Sequence, residues 1–417
     1  MNFLKNSSIY LTANLLNAAI PFLLLPILTR YLTVEEYGQI AMFQMLLSGL
    51  STFIGLNSIG SATRKFYDDI SEENLKVFNG SCFQLLITSS LLCVILAFFL
   101  KDKLSQFLAI PVNWIYIAIL ISIFTYITTF LLTQWQINNQ AKKFGILQVS
   151  GSLINMLLSL QLVILLKEGA EGRVNAQLLS VFIIAFLSII ILYRKKIITI
   201  FSFNFNYLKE ALFYGTPLIP HHIGIFFISA IDRFFINKEM GLEKAGIYMV
   251  AMQLSSALTI LFDAINKAYV PWLFNKLKKN NTEDKIKIVK YTYFYFILLI
   301  ICAIFAFFIS PYFLIFIAGD KYTESASLIG WLCIGQIFSG MYLMVTNYLF
   351  FGKKTSRLAL TTITTGIINI ILLLILIPYF GLLGAAYAFI TSKFIQFMLT
   401  WIISYSAIKM PWFKMRV

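Results

Sequence analysis

In a chain of 417 residues that is 59% hydrophobic, few side chains can do chemistry, and they fall at recognisable places. Residues 210–239, EALFYGTPLIPHHIGIFFISAIDRFFINKE, carry Pro217, Pro220, the only two histidines (His221 and His222), then Asp232 and Arg233. Lys267 follows Asp263 by one helical turn, Lys393 interrupts an apolar run, Arg30 closes the first apolar segment, and Arg64 with Lys65 closes the second. A lysine or arginine within a bilayer costs about 2.5–3.5 kcal/mol on insertion scales, so each is expected to face a cavity, a partner or an interface. Arginine suits phosphate through its planar fork, whereas lysine acts as a point charge. Proline removes a backbone donor, and the freed carbonyl is tolerable at membrane depth only where protein or water satisfies it. The stretch around Pro217 and Pro220 is therefore expected to line a cavity, and the histidines to couple protons or to support the kink.

Each of these residues also has a plainer reading. Arg30 and Arg233 could snorkel to an interface, Arg64 and Lys65 could be inner anchors, and Asp263 with Lys267 could form an intrahelical pair. Adjacent residues on a helix point about 100° apart, so Asp232 is expected to find a partner other than Arg233, with Arg30 a candidate. Asp263 reads as the one acid embedded in a span. Asn155 and Asn369 are candidate sugar contacts among ten polar residues within spans, and their plainer role is interhelical hydrogen bonding. The four cysteines lack C-x-x-C spacing and suggest neither a metal site nor a disulfide framework, and no cofactor is expected.

The elements that must position these residues follow from composition. With 12% charged residues and a mean hydropathy of +0.82, the chain is an integral membrane protein rather than a soluble domain. A span needs roughly 20 mainly apolar residues. Twelve segments qualify, near 8–29, 38–62, 79–100, 112–134, 144–166, 174–193, 210–231, 246–270, 291–310, 326–350, 358–378 and 382–404. The first is too long for the core of a cleavable signal and is read as helix 1. Most of the 33 basic residues fall in loops that lie on the side of the N-terminus, which places both termini in the cytoplasm. That bias also accounts for the net charge of +15 without nucleic-acid binding, because anionic lipid attracts the excess. No outer loop is long enough to fold alone, which argues against an enzyme acting on glycans outside the membrane.

An internal repeat sets the architecture. RYLTVEEYGQIAMFQM at 30–45 is echoed by RFFINKEMGLEKAGIYMVAMQ at 233–253. GAEGRVNAQLLS at 169–180 matches GLLGAAYAFITS at 381–392, with Gly169/Gly381, Gly172/Gly384, Ala176/Ala388 and Ser180/Ser392 in register, and Asn155 matches Asn369. A shift of six helices keeps the orientation. The expectation is an all-α polytopic membrane protein of about twelve transmembrane helices in two parallel six-helix lobes, 1–200 and 201–417, around a central cavity.

Several short motifs together carry a family resemblance. Pro21, Pro26, Thr29-Arg30-Tyr31-Leu32, Glu36-Tyr37-Gly38, Ala62-Thr63-Arg64-Lys65-Phe66-Tyr67, Pro217-Leu218-Ile219-Pro220, Asp232-Arg233-Phe234 and Gly381-x-x-Gly384-Ala385-Ala386 resemble the Wzx-type oligosaccharide flippases of the multidrug/oligosaccharidyl-lipid/polysaccharide exporter (MOP) superfamily. The resemblance covers essentially the whole chain. It implies a MATE-like, non-enzymatic carrier that moves an undecaprenyl-pyrophosphate-linked oligosaccharide to the periplasmic leaflet by alternating access, for O-antigen, capsule or exopolysaccharide synthesis. It also implies membrane lipid, a polysaccharide polymerase and a chain-length regulator as partners. On that reading Arg30, Arg64, Arg233, Lys267 and Lys393 face the pyrophosphate or an anionic sugar, and Asp232 and Asp263 are charge partners or gates. Three alternatives remain at this point: a drug/cation antiporter of the same superfamily, a major-facilitator transporter, and a membrane glycosyltransferase for which Asp68-Asp69 would imitate a metal-binding pair.

Overall fold

The computed structural model describes residues 2–68, 71–352 and 354–412, so Asp69, Lys353, Lys414 and Arg416 lie outside the described residues. The described elements are α1 (Asn2–Tyr31), α2 (Val34–Phe53), α3 (Ser58–Lys65), α4 (Glu72–Leu108), α5 (Val112–Ile137), α6 (Ala141–Leu160), α7 (Gly169–Arg194), α8 (Phe205–Gly215), α9 (Ile219–Ser229), α10 (Asp232–Met240), α11 (Leu242–Ser255), α12 (Ala257–Lys279), α13 (Thr282–Ala318), α14 (Thr323–Phe351) and α15 (Thr355–Ala407). Ten stretches are long and apolar enough to cross a membrane, and α2 with α3, bent by 45°, makes an eleventh. The last of them turns at Gly381, where φ 58° and ψ −134° are non-helical, so α15 is two spans and twelve are described.

Two compact units divide the chain, Met1–Ile223 and Gly224–Val417. The division falls within the seventh span, which runs through α8, a 3₁₀ turn at Thr216–Leu218 and α9. Pro217 sits in that turn and Pro220 in the first turn of α9, where a missing N–H does least harm. The prolines tighten the span locally and do not bend it by 40° or more.

In the first unit, α5 is the most enclosed long helix, and its Trp114 packs edge-on against Phe43 of α2 at 5.6 Å. α1 lies along α6, joined by Gln148 to Asn14 (3.0 Å) and by Ser152 to Asn17. In the second unit the repeat-related span, α14, is the most enclosed. Its Ile337, Met341, Met344 and Val345 pack with Phe262, Phe296, Leu299 and Phe397, and Gln336 and Asn347 bond to Thr259 (2.6 Å) and Asn266 (2.8 Å). Burying a side chain of this kind stabilises by about 1.5–3 kcal/mol relative to water, but in lipid the gain comes from packing and hydrogen bonds.

The sequence repeat has a structural counterpart at the fifth-to-sixth and eleventh-to-twelfth spans. Gly169 and Gly381 both take left-handed backbone, at φ 59° and 58°. Gly172 and Gly384 each bring their helix against the backbone of the preceding span, at Leu162 and Leu376; a Cβ would be tight against Leu162 and would collide with Leu376. Ala176 and Ala388 are fully buried. Asn155 donates to Ser180 at 2.9 Å, and Ser392 donates to Asn369 at 2.8 Å.

The second span departs from the continuous segment 38–62. Gly55, Leu56 and Asn57 have φ of 79°, 48° and 56°, so the helix stops and restarts. Hydropathy does not register this break because every residue around it is compatible with a membrane. Side chains satisfy the interrupted backbone: the Gly55 N–H donates to Ser89 Oγ (2.9 Å), and Ser58 Oγ donates to the Gly55 carbonyl (2.7 Å) and meets the Tyr126 hydroxyl (2.5 Å).

Candidate functional site

The second unit buries an acid among cations. Asp232 opens α10 and is only 1% exposed. Its Oδ1 accepts the Arg233 backbone N–H at 2.8 Å, and Arg233 Nη1 lies 3.8 Å from the same oxygen while donating to the Ser229 carbonyl at 3.0 Å. The expectation that neighbours on a helix would not pair is corrected here. α10 begins at Asp232, so its carboxylate folds back onto the free N–H groups, and the Arg233 side chain also leans toward the N-terminus. Tyr248 of α11 is fully buried and faces the carboxylate without closing a hydrogen bond. Lys393 of α15 comes within electrostatic reach of Asp232 and stands over the Phe389 ring at 5.6 Å. Asp232 Oδ2, Arg233 Nε and the Tyr248 hydroxyl are buried with no hydrogen-bond partner among the described residues. Unmet polar capacity of this kind marks a place for a ligand or for ordered water.

Asp232 also corrects the reading of Asp263 as the one embedded acid. Asp263 pairs with Lys267 at 2.6 Å, one turn apart on α12, and both side chains are about half exposed. This is the intrahelical pair that the i,i+4 spacing allows.

The first unit holds a second polar cluster, around a residue that lies just outside the sixth apolar segment, 174–193. Arg173 lies one turn inside α7, and its Nη1 donates to Asn155 Oδ1 and Ser159 Oγ, both at 3.0 Å. The buried Tyr37 lies nearby, and Gln44 donates to Gln177 at 2.8 Å on the same helix pair. The repeat contained the missing signal: if Gly381 starts a helix, its partner Gly169 does too, and Arg173 falls within the span. Among the described residues no carboxylate forms an ion pair with Arg173.

The remaining candidates are dispersed. Arg30 is exposed at the end of α1. Arg64 is exposed and stacks over Tyr214 of α8 at 5.5 Å, while Lys65 reaches Glu210 of α8 at 2.8 and 3.0 Å and Asp68 at 3.3 Å. His221 and His222 are half-buried with ring centroids 5.8 Å apart, and His221 Nδ1 has no partner among the described residues. Asn369 is 1% exposed, and its amide donates to the Phe227 carbonyl at 2.7 Å while its oxygen accepts from Ser392. Both ends of that amide are thus occupied. No group of three or more His, Cys, Asp or Glu side chains suited to a metal ion occurs among the described residues.

The Glu36-Tyr37-Gly38 motif acquires a local explanation. Glu36 Oε2 accepts the Thr33 N–H at 2.7 Å and closes a capping box on α2, while its Oε1 accepts the Ala170 N–H at 3.3 Å at the start of α7. One carboxylate therefore caps two helices and holds Tyr37 and Arg173 at adjoining positions.

Twelve spans built on a six-helix repeat, with charged groups set inside each unit, define a polytopic membrane protein of MATE-like fold. The chain is similar in structure to a mutant of the Vibrio cholerae MATE transporter VcmN, with a TM-score of 0.64 at 12% identity over 98% of this chain and 96% of that one. It is equally similar to the inward-facing conformation of a multidrug resistance MATE family transporter of the MOP superfamily, with a TM-score of 0.64 at 16% identity over 95% and 94% of the two chains. The chain belongs to the polysaccharide biosynthesis protein family, which matches residues 3–277. Two relatives come from Haemophilus influenzae: an "Uncharacterized membrane protein", 30% identical over 92% of this chain and 95% of its own, and "Lsg locus putative protein 1", 29% identical over 92% and 96%.

Proposed function

We propose that the protein carries a lipid-linked oligosaccharide across the membrane, the charged head passing through the protein while the lipid tail stays in the bilayer. The observation that carries this reading is the set of unpartnered polar atoms on Asp232, Arg233 and Tyr248, with Lys393 in electrostatic reach, in a chain of a polysaccharide biosynthesis family. Two cations about one acid leave a net positive site, which suits a pyrophosphate or an acidic sugar. Arg173 is a second cation fitted to an oxyanion, with amides and hydroxyls around it for sugar. The carrier is undecaprenyl pyrophosphate on this reading, movement is from the cytoplasmic to the periplasmic leaflet of the inner membrane with both termini cytoplasmic, and the repeat units feed a polymerase and chain-length regulator. An inside-negative potential favours outward movement of an anion by about 2.3 kcal/mol per charge per 100 mV.

One observation favours the drug/cation antiporter instead: Asp232 is a deeply buried acid, which a cation carrier needs. Arg233 and Lys393 beside it oppose a cationic ligand, so the anion reading is preferred. Depletion of the protein tests the choice, with the leaflet of lipid-linked repeat units read by an impermeant glycan probe. Complete units should accumulate on the cytoplasmic leaflet. Normal units on the outer leaflet would refute the flippase reading, and truncated units would indicate an enzyme of assembly.

A further inference from the structure

The segment joining the sixth and seventh spans has no helix of its own, and from Phe201 into the start of α8 its side chains alternate in exposure. Phe201, Phe203 and Phe205 are 97%, 71% and 68% exposed, whereas the intervening Ser202 and Asn204 are half-buried. These phenylalanines do not come from a frayed loop, because the segment is fastened to α4 along its length. Thr199 N–H donates to the Lys76 carbonyl (3.3 Å), Asn79 donates to the Ile197 carbonyl (3.1 Å), and Gln84 donates to the carbonyls of Ile200 (2.6 Å) and Ser202 (3.3 Å). Gly80 lets the Thr199 carbonyl lie directly on the helix, where any Cβ would meet it. Asn204 then caps α8 by accepting the N–H groups of Asn206 and Tyr207. Polar side chains thus hold three aromatic rings outward, with Tyr193 also 74% exposed. Arg194, Lys195, Lys196 and Lys209 flank the rings and are all exposed.

Aromatic rings presented in a row beside clustered cations match a bilayer surface, with rings at the acyl boundary and cations at headgroup phosphates. We propose that residues 193–209 form a docking surface for anionic phospholipid, which fixes the start of the seventh span at the level of the headgroups. Uncharged lipid would satisfy the rings but not the cations, so the proposal commits to an anionic headgroup.

The test uses the full chain in lipid nanodiscs with Phe201→Trp, and the added fluorescence is taken as the difference from the parent, which has six tryptophans. Chain-brominated phosphatidylglycerol and phosphatidylcholine are compared as quenchers at equal mole fraction. The added emission should be quenched by both, and about twofold or more strongly by the anionic lipid. The excess should disappear when Arg194→Gln, Lys195→Gln and Lys196→Gln are combined, with thermal unfolding unchanged. No quenching would place the ring in water or under a protein partner and overturn the proposal, and equal quenching by the two lipids would overturn its anionic selectivity. Either failure leaves the transport reading intact, since the readout does not involve transport.

Discussion

Replacing Arg173 by methionine separates a working cation from a structural one. The structure sets the magnitude. Arg173 loses two charge-assisted hydrogen bonds, to Asn155 and Ser159, each worth about 1.5–3 kcal/mol. Removing the cation from the membrane returns about 2.5–3.5 kcal/mol on insertion scales. Asn155 keeps its bond to Ser180. The net destabilisation is therefore about 0–3 kcal/mol, small enough for the variant to fold and insert. Export should nonetheless collapse, because the oxyanion loses its fork, and Arg173→Lys should recover part of it through charge alone. Thermal unfolding in nanodiscs reads the first quantity, and accessibility of lipid-linked glycan at the outer surface reads the second. Wild-type export by Arg173→Met would refute a substrate role, and a failure of Arg173→Met to fold would make Arg173 a structural pin.

Three further outcomes follow. Gly381→Ala should destabilise by about 1–3 kcal/mol, because φ 58° with ψ −134° is open to glycine and strained for alanine, and thermal unfolding checks it. Asn369→Ala removes two hydrogen bonds of about 0.6 kcal/mol each and leaves the Phe227 carbonyl unmet; stability should fall by about 1–2 kcal/mol with export retained, as measured by unfolding and by surface glycan. Asp232→Asn removes the internal anion beside Arg233 and Lys393, so inorganic pyrophosphate should bind about tenfold more tightly in calorimetry. Unchanged affinity would separate that cluster from anion recognition.

The twelve spans and the six-helix repeat were legible because bilayer thickness dictates span length, and because Gly169/Gly381 and Asn155/Asn369 each answer a demand for a tight turn or a buried bond. The break at Gly55–Asn57 was not legible. Gly55 and Leu56 are as small or apolar as their neighbours, Asn57 is one of several asparagines within spans, and the groups that stabilise the break, Ser89 and Tyr126, come from other spans. Arg173 was misplaced because a charge near a segment end reads as a loop residue in any window average. The Asp232–Arg233 contact is hidden because Asp232 is the first residue of α10, where its carboxylate folds back onto the free N–H groups of the helix start and brings Arg233 near.

The two units share a scaffold and differ in charge. Each builds its hairpin of paired spans on the same glycine turn, the same glycine-to-backbone approach and the same asparagine–serine bond. The first unit adds Arg173 directly to that asparagine, where the repeat-related position in the second unit is the fully buried Ala385. The second unit instead places Lys393 immediately after the repeat serine and sets it toward Asp232. A duplicated scaffold retained for packing would have no need of a partly buried cation in either copy, and one retained for binding an identical ligand twice would place both at the same position. Different cations grafted at different positions onto one repeated frame fit the proposed carrier, whose ligand, a lipid-linked glycan, is not itself symmetric.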